Sequence, residues 1–136
     1  DAVRMRADIA RHKPPSGPLD VKLGPGGLVD LEFAVHVLQL THRLAFDPVL
    51  ETAVEQLVEL EFVHAKVADA QKLLTRILVA VRLVSPDGEI PAAETCGLVA
   101  RACGAESWDE LLARHDSARQ SISELWQSIK DEADDQ

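Results

Sequence analysis

Residues 20–33 read DVKLGPGGLVDLEF, so that Gly and Pro immediately precede an apolar stretch. The longer segment 14–27, PPSGPLDVKLGPGG, holds too many helix-breaking residues for a helix and is predicted to form one structured loop. Beyond it, apolar residues recur with the helical period, which predicts a helix from Leu28 to about Leu44. This change from breakers to helical period indicates helices joined through a Gly/Pro-rich loop.

Helical periodicity elsewhere in the chain predicts five further helices, one before the loop and four after the second helix. Asp47 is the expected N-cap of the third helix, with Pro48 in its first turn. Ser107 and Glu110 form a capping box for the last helix. The predicted helices cover 2–13, 28–44, 47–60, 65–84, 92–103 and 107–130.

These elements predict an all-α fold, an antiparallel bundle of about six helices. We expect a single helical domain over 1–136 that belongs to a larger enzyme. Within it, 1–13 is a helix, 14–27 the loop, 28–130 the bundle and 131–136 an acidic tail.

Composition and charge limit the kinds of function that this chain could have. The 136 residues are 46% hydrophobic, which is enough for a core. The net charge of −9 opposes binding to nucleic acid or to an anionic membrane surface. No run approaches the roughly 18 apolar residues of a membrane span, and we expect a soluble, cytoplasmic protein.

On a helix, Cys96 and Cys103 would lie about 10 Å apart, too far for a disulfide.

The start of the second helix is a candidate anion site. Gly26 and Gly27 allow close backbone approach, free N–H groups at a helix start attract anions, and Lys22 adds positive charge. The alternative is a tight turn closed by Asp30, with the glycines present for backbone shape. Spacing alone favours this alternative, because GPGG matches neither the phosphate loop GxxxxGK[ST] nor the dinucleotide GxGxxG.

A polar stripe runs along the same helix. Glu32, His36, Gln39 and Arg43 fall within an arc of about 60°, whereas most of the remaining circumference is apolar. Such a helix is expected to be central and buried on most sides. The stripe is then either an exposed strip with surface pairs such as Glu32 with His36, or one wall of a site.

Residues 20–40, DVKLGPGGLVDLEFAVHVLQL, closely resemble the signature D-[IL]-K-L-G-x-G-G-[IL]-x-[DE]-[IL]-E-F-x-x-Q-x-x-Q-L. That signature belongs to the glutamate-ammonia-ligase adenylyltransferases, which adenylylate and deadenylylate glutamine synthetase in nitrogen regulation. The upstream VRMRADIARH is similar to the family's methionine–arginine helix. Two features depart from the family: His36 stands where Gln is usual, and 78–86, LVAVRLVSP, replaces a more charged segment.

The resemblance implies a parent enzyme of two halves, each pairing a nucleotidyltransferase core with a helical domain like this one. One half transfers AMP from ATP to glutamine synthetase and the other removes it, with magnesium and under control of PII proteins and glutamine. The acidic end after Lys130 favours the carboxyl-terminal, adenylylating half. ATP and magnesium belong to the parent, and neither is expected to bind the fragment tightly.

The isolated fragment is predicted to be inactive, with no catalytic residue of its own. The family's metal-binding motif, glycine-serine followed by spaced aspartates, does not occur in the sequence. Asp30 and Glu32 point about 200° apart on a helix and make no metal dyad. The histidines and cysteines share no zinc spacing, and His115 is predicted as a hydrogen-bonded core histidine.

The resemblance favours a helical accessory domain that supports the nucleotide site of an adjacent nucleotidyltransferase core. Lys22 would face phosphate, Gly26 and Gly27 would allow close approach, and Asp30 and Glu32 would make polar contacts across the domain boundary.

An alternative is an interaction module for glutamine synthetase, a PII protein or the other half of the enzyme, without nucleotide contact. The acidic cluster Glu51, Glu55, Glu59 and Glu61 supports it. A third possibility is a pure scaffold for the neighbouring core, which needs no ligand.

Overall fold

The computed structural model describes residues 1–87 and 89–134, and within them it contains six α-helices and no β-strand. The predicted all-α class is confirmed. The last helix continues through 131–134 of the expected acidic tail, and positions 135 and 136 lie outside the described residues. The helices are α1 Ala2–His12, α2 Leu28–His42, α3 Leu50–Glu59, α4 Ala65–Val84, α5 Ala93–Ala102 and α6 Trp108–Asp134.

The core lies between α4 and α6, the two longest helices, with α2 packed against α6 and also touching α1, α3 and α4. The predicted central position of α2 therefore agrees with its contacts. Each large aliphatic side chain buried in such a core contributes about 1.5–3 kcal/mol. The largest fully buried side chains include Leu31, Leu57, Leu74, Ile77, Leu111 and Ile122.

The predicted start of α3 is wrong by a few residues. Val49 occupies the N-cap position, and the helix begins at Leu50. The Asp47 carboxylate accepts a hydrogen bond from the Val49 N–H at 2.9 Å. Its short side chain thus closes a turn before the helix, an arrangement that competes with N-capping for the same residue type.

The start of α6 uses half of the predicted capping box. The Glu110 N–H donates to Ser107 Oγ at 3.1 Å. The Glu110 carboxylate, however, accepts from the Glu106 N–H at 2.7 Å, one residue before the expected donor. The side chain therefore satisfies the approaching loop instead of closing the box on Ser107.

Both cysteines are buried free thiols, as predicted. Burial raises the pKa of the Cys103 thiol, and the nearby Arg76 guanidinium opposes this rise only in part. Cys103 therefore behaves as a small core residue.

Among the residues described, no helix is both long enough and apolar enough to cross a membrane.

Candidate functional site

The loop before α2 hydrogen-bonds to the first turn of that helix. The Leu28 N–H donates to the Val21 carbonyl at 2.7 Å, and the Val29 N–H donates to the Lys22 carbonyl at 3.0 Å. These N–H groups would otherwise be unpaired at a helix start. Two of the N–H groups that were expected to attract an anion are therefore already used by the loop.

Asp20 organises the loop from within. Its carboxylate accepts hydrogen bonds from the N–H groups of Ser16, Lys22 and Leu23 and from the Ser16 hydroxyl. Partial burial alone would raise the pKa of the Asp20 carboxyl. The hydrogen bonds outweigh this effect and hold the pKa below its usual value of 3.8.

A buried ion pair ties α1 to this region. Arg6 Nε lies 2.5 Å from Asp30 Oδ1, and a second Arg6 nitrogen donates to the Leu23 carbonyl at 3.2 Å. The other oxygen of Asp30 accepts from the Gly26 N–H at 2.7 Å. Asp30 therefore closes the turn, as the alternative interpretation held, and it also binds a residue of another helix.

Sequence reasoning missed Arg6. The available signal was the acid at position 30 in a mostly apolar helix, because a buried carboxylate requires a partner. Nothing in the sequence identified which of the cations would supply it.

The two glycines approach backbone of the same chain. Gly26 has φ +70°, and a Cβ there would overlap the Arg119 carbonyl oxygen of α6 and lie 2.5 Å from Ser123 Oγ. A Cβ on Gly27 would lie 2.5 Å from the Val21 carbonyl oxygen. Both glycines are buried, so the close approach argued from the sequence leads to α6 and to the loop, with no room for a ligand beside them.

Lys22 and Glu32 line an open groove of about 580 Å³ between the end of α1, the loop, the start of α2 and the last turns of α4. The cations of the lining are Lys22, Lys13 and Arg82. None of them forms an ion pair within the described part of the chain. The lining is otherwise largely apolar and includes Leu19, Val21, Val29, Phe33, Leu78 and Val81. We call this feature the Lys22 groove.

The predicted site residues thus separate into two sets. Lys22 and Glu32 are half-buried and line the groove. Asp30, Gly26 and Gly27 lie behind it, where their contacts are internal. The internal contacts of this second set hold the loop in place.

The polar stripe of α2 does not act as one unit. His36 is exposed, whereas Gln39 is buried and its Nε2 donates to the Ala45 carbonyl at 2.7 Å. Arg43 ends the helix in the left-handed region with φ 55°. The expected pair of Glu32 with His36 is absent from the described hydrogen bonds, so the stripe serves partly to fix the following loop.

His115 is buried in α6, with only 4% of its surface exposed. Its Nε2 has no hydrogen-bond partner among the described residues, which contradicts the expected hydrogen-bonded histidine. Burial lowers the pKa of His115, Arg119 lowers it further, and Asp116 opposes them. The imidazole is therefore neutral at pH 7.

No group of three or more His, Cys, Asp or Glu side chains suited to a metal ion occurs in residues 1–87 and 89–134.

Comparison with known proteins gives one family and a consistent set of relatives. The family model for GlnD PII-uridylyltransferase matches residues 2–129. A relative from Caulobacter vibrioides is 43% identical over 83 residues, covering 61% of this chain and 8% of the relative. One from Rhizobium meliloti is 32% identical over 124 residues, covering 82% of this chain and 12% of the relative.

Both relatives are named bifunctional glutamine synthetase adenylyltransferase/adenylyl-removing enzyme. A relative from Mesorhizobium japonicum carries the same name and is 44% identical over 48 residues, covering 35% of this chain and 5% of the relative. The chain therefore spans about a tenth or less of the curated relatives that it matches. No solved structure matches it significantly.

Proposed function

Because this chain belongs to the GlnD PII-uridylyltransferase family and its curated relatives are glutamine synthetase adenylyltransferases, we propose that it is a helical accessory domain of such an enzyme. In this proposal the domain docks on an adjacent nucleotidyltransferase core and supports its nucleotide site. The whole enzyme would act on glutamine synthetase, with regulation by a PII protein.

The observation that carries this proposal is the Lys22 groove. Three cations without an ion-pair partner in the described residues line it together with the two acids Asp20 and Glu32, on a chain whose net charge is −9. Charged hydrogen bonds from lysine and arginine to phosphate are among the stronger polar contacts in proteins. Lys22 would therefore face the phosphates of a nucleotide held by the core, and Glu32 would make a polar contact across the domain boundary.

Gly26, Gly27 and Asp30 have an indirect role in this proposal. Their internal contacts hold the loop that carries Lys22 against α2 and α6. ATP and magnesium would be bound by the core, and the catalytic carboxylates would belong to the core as well. The isolated domain is proposed to be inactive.

The deciding experiment is Lys22→Ala in the full-length enzyme that contains this domain. Loss of one charged contact to phosphate should raise the KM for ATP about tenfold. The matched control is Lys66→Ala, which removes an exposed lysine paired with Glu124 on another face. Unchanged ATP kinetics in Lys22→Ala, with the fold intact, would reject the nucleotide role.

A second candidate function is partner binding without nucleotide contact. It is favoured by the exposed acids of α3 and its end, Glu51, Glu55, Glu59 and Glu61. Titration of the chain with ATP and magnesium, then with a PII protein, separates the two functions. Because the core supplies most of the ATP contacts, the first function predicts weak amide NMR shifts at the Lys22 groove, seen only at high ATP concentration. Shifts confined to α3 with a PII protein would favour the second function.

A further inference from the structure

A second groove, of about 510 Å³, lies between the α2–α3 connection and the end of α3. Phe46 and Leu60 line it, and they are 62% and 49% exposed. Val49, at the start of α3, is 57% exposed. We call this the Phe46 surface, and exposed apolar side chains gathered around one groove are typical of interaction sites.

The backbone around the Phe46 surface is held in place. Ala45 has φ 57°, a left-handed conformation that costs a non-glycine residue roughly 1–2 kcal/mol. The buried Gln39 side chain donates to the Ala45 carbonyl at 2.7 Å and so stabilises this conformation. In the described residues, the other non-glycine positions with positive φ are Arg43 and Glu61, at either side of the same surface. Phe46 is therefore presented to solvent by a supported loop.

A residue that lines the groove also carries an unused hydrogen-bond acceptor. Gln56 lines it, and the Gln56 Oε1 atom is buried without a partner among the described residues. A buried acceptor left unpaired costs about 1–3 kcal/mol. An N–H donor that reached Oε1 from the groove would remove this penalty.

The charge around the Phe46 surface indicates which kind of partner could bind there. Asp47 and Glu59 line the groove, whereas no Lys or Arg of the described residues lines it. The exposed Glu51 and Glu61 lie close by in sequence, as does Arg43. This excess of acids repels nucleic acid and anionic lipid. It favours a positively charged partner.

We propose that the Phe46 surface binds a segment of a protein partner that carries Lys or Arg beside an apolar side chain. The apolar side chain packs between Phe46 and Leu60, the cation lies against Glu59, and an N–H of the segment donates to Gln56. This surface and the Lys22 groove lie at opposite ends of α2. The proposal is therefore independent of the nucleotide role of the Lys22 groove, and it deepens the second candidate function, with which it shares Glu59.

The test is an amide NMR titration of the chain with three short peptides of matched length, KLLKKLLK, ELLEELLE and KSSKKSSK. The basic apolar peptide should shift signals from residues 43–62, and its binding should weaken as salt rises. The acidic peptide and the serine peptide should not bind. Shifts located elsewhere, or equal binding of all three peptides, would overturn the proposal.

Variants locate the contact. Phe46→Ala should weaken binding of KLLKKLLK about tenfold. Glu59→Gln, at an exposed position, should weaken it several-fold and reduce its salt dependence. The control is Leu98→Ala, because Leu98 is 61% exposed on α5 and outside the groove. If Phe46→Ala and Leu98→Ala bind the peptide equally well, the surface is not the site.

Discussion

Arg6 and Asp30 form a buried ion pair across 24 residues of sequence, with 2.5 Å between Arg6 Nε and Asp30 Oδ1. Arg6 is the buried residue of α1, whereas the other α1 side chains are half-buried or exposed. The same carboxylate accepts the Gly26 N–H. One acid therefore joins α1, the glycine turn and α2, and the position of the Lys22 groove depends on it.

Removal of either partner of this pair should destabilise the chain strongly. Asp30→Ala or Arg6→Ala leaves the other charge buried without its ion-pair partner, which costs about 3–5 kcal/mol. Urea unfolding measures the change in the free energy of unfolding. Arg11→Ala is the control, because it removes only an exposed pair with Asp8 and should change stability by less than about 1 kcal/mol. Equal effects of Asp30→Ala and Arg11→Ala would refute the structural role of the buried pair.

Gly26 should tolerate no side chain. In Gly26→Ala the new Cβ overlaps the Arg119 carbonyl and the backbone stays at φ +70°, so a loss of more than about 2 kcal/mol is expected. Gly97→Ala is the matched control, because a Cβ there meets nothing within 4 Å and the residue lies inside α5. That variant should gain about 0.5–1 kcal/mol. Thermal melting of the two variants would show opposite shifts, and a stable Gly26→Ala would contradict the packing described.

Asp20 should contribute to acid sensitivity. Hydrogen bonds keep its folded-state pKa below the usual 3.8. Its stabilising contribution is therefore fully present above pH 3.8 and is lost as the pH falls through the lower folded-state value. Asp20→Asn should make the decline of stability below that pH less steep in urea unfolding. Asp109→Asn, which removes an exposed carboxyl without a described hydrogen bond, should leave the slope closer to that of the unmodified chain.

His115 should make the stability of the chain depend on pH in a higher range than Asp20 does. Its pKa is lowered in the folded state, so the unfolded chain binds a proton more readily just below pH 6.5. Stability should therefore fall as the pH drops below 6.5 toward the folded-state value. His115→Leu should remove most of this fall and leave no unpartnered nitrogen in the core. His36→Ala, at an exposed position, should retain it, and an equal pH profile for both variants would refute the assignment to His115.

Local signals account for the parts of the fold that were predicted well. The breakers in 14–27 and the apolar periodicity after Leu28 placed the loop and α2 within about two residues of their observed bounds. The N-cap of α3 was misplaced because Asp47 also suits the turn that it forms. Sequence identified the glycines as positions of close backbone approach, but not what approaches them.

The amino-acid sequence by itself determined the helical class, the reduced cysteines and the signature of residues 20–40, because periodicity, spacing and local motifs are properties of neighbouring residues. Only the tertiary structure decided that α6 packs on Gly26, that Arg6 neutralises Asp30, and that Lys22 and Glu32 share one groove. These contacts join segments far apart in the chain. Which of several equivalent cations or helix faces meets a given residue is set by the packing of the whole bundle, and no local pattern encodes that choice.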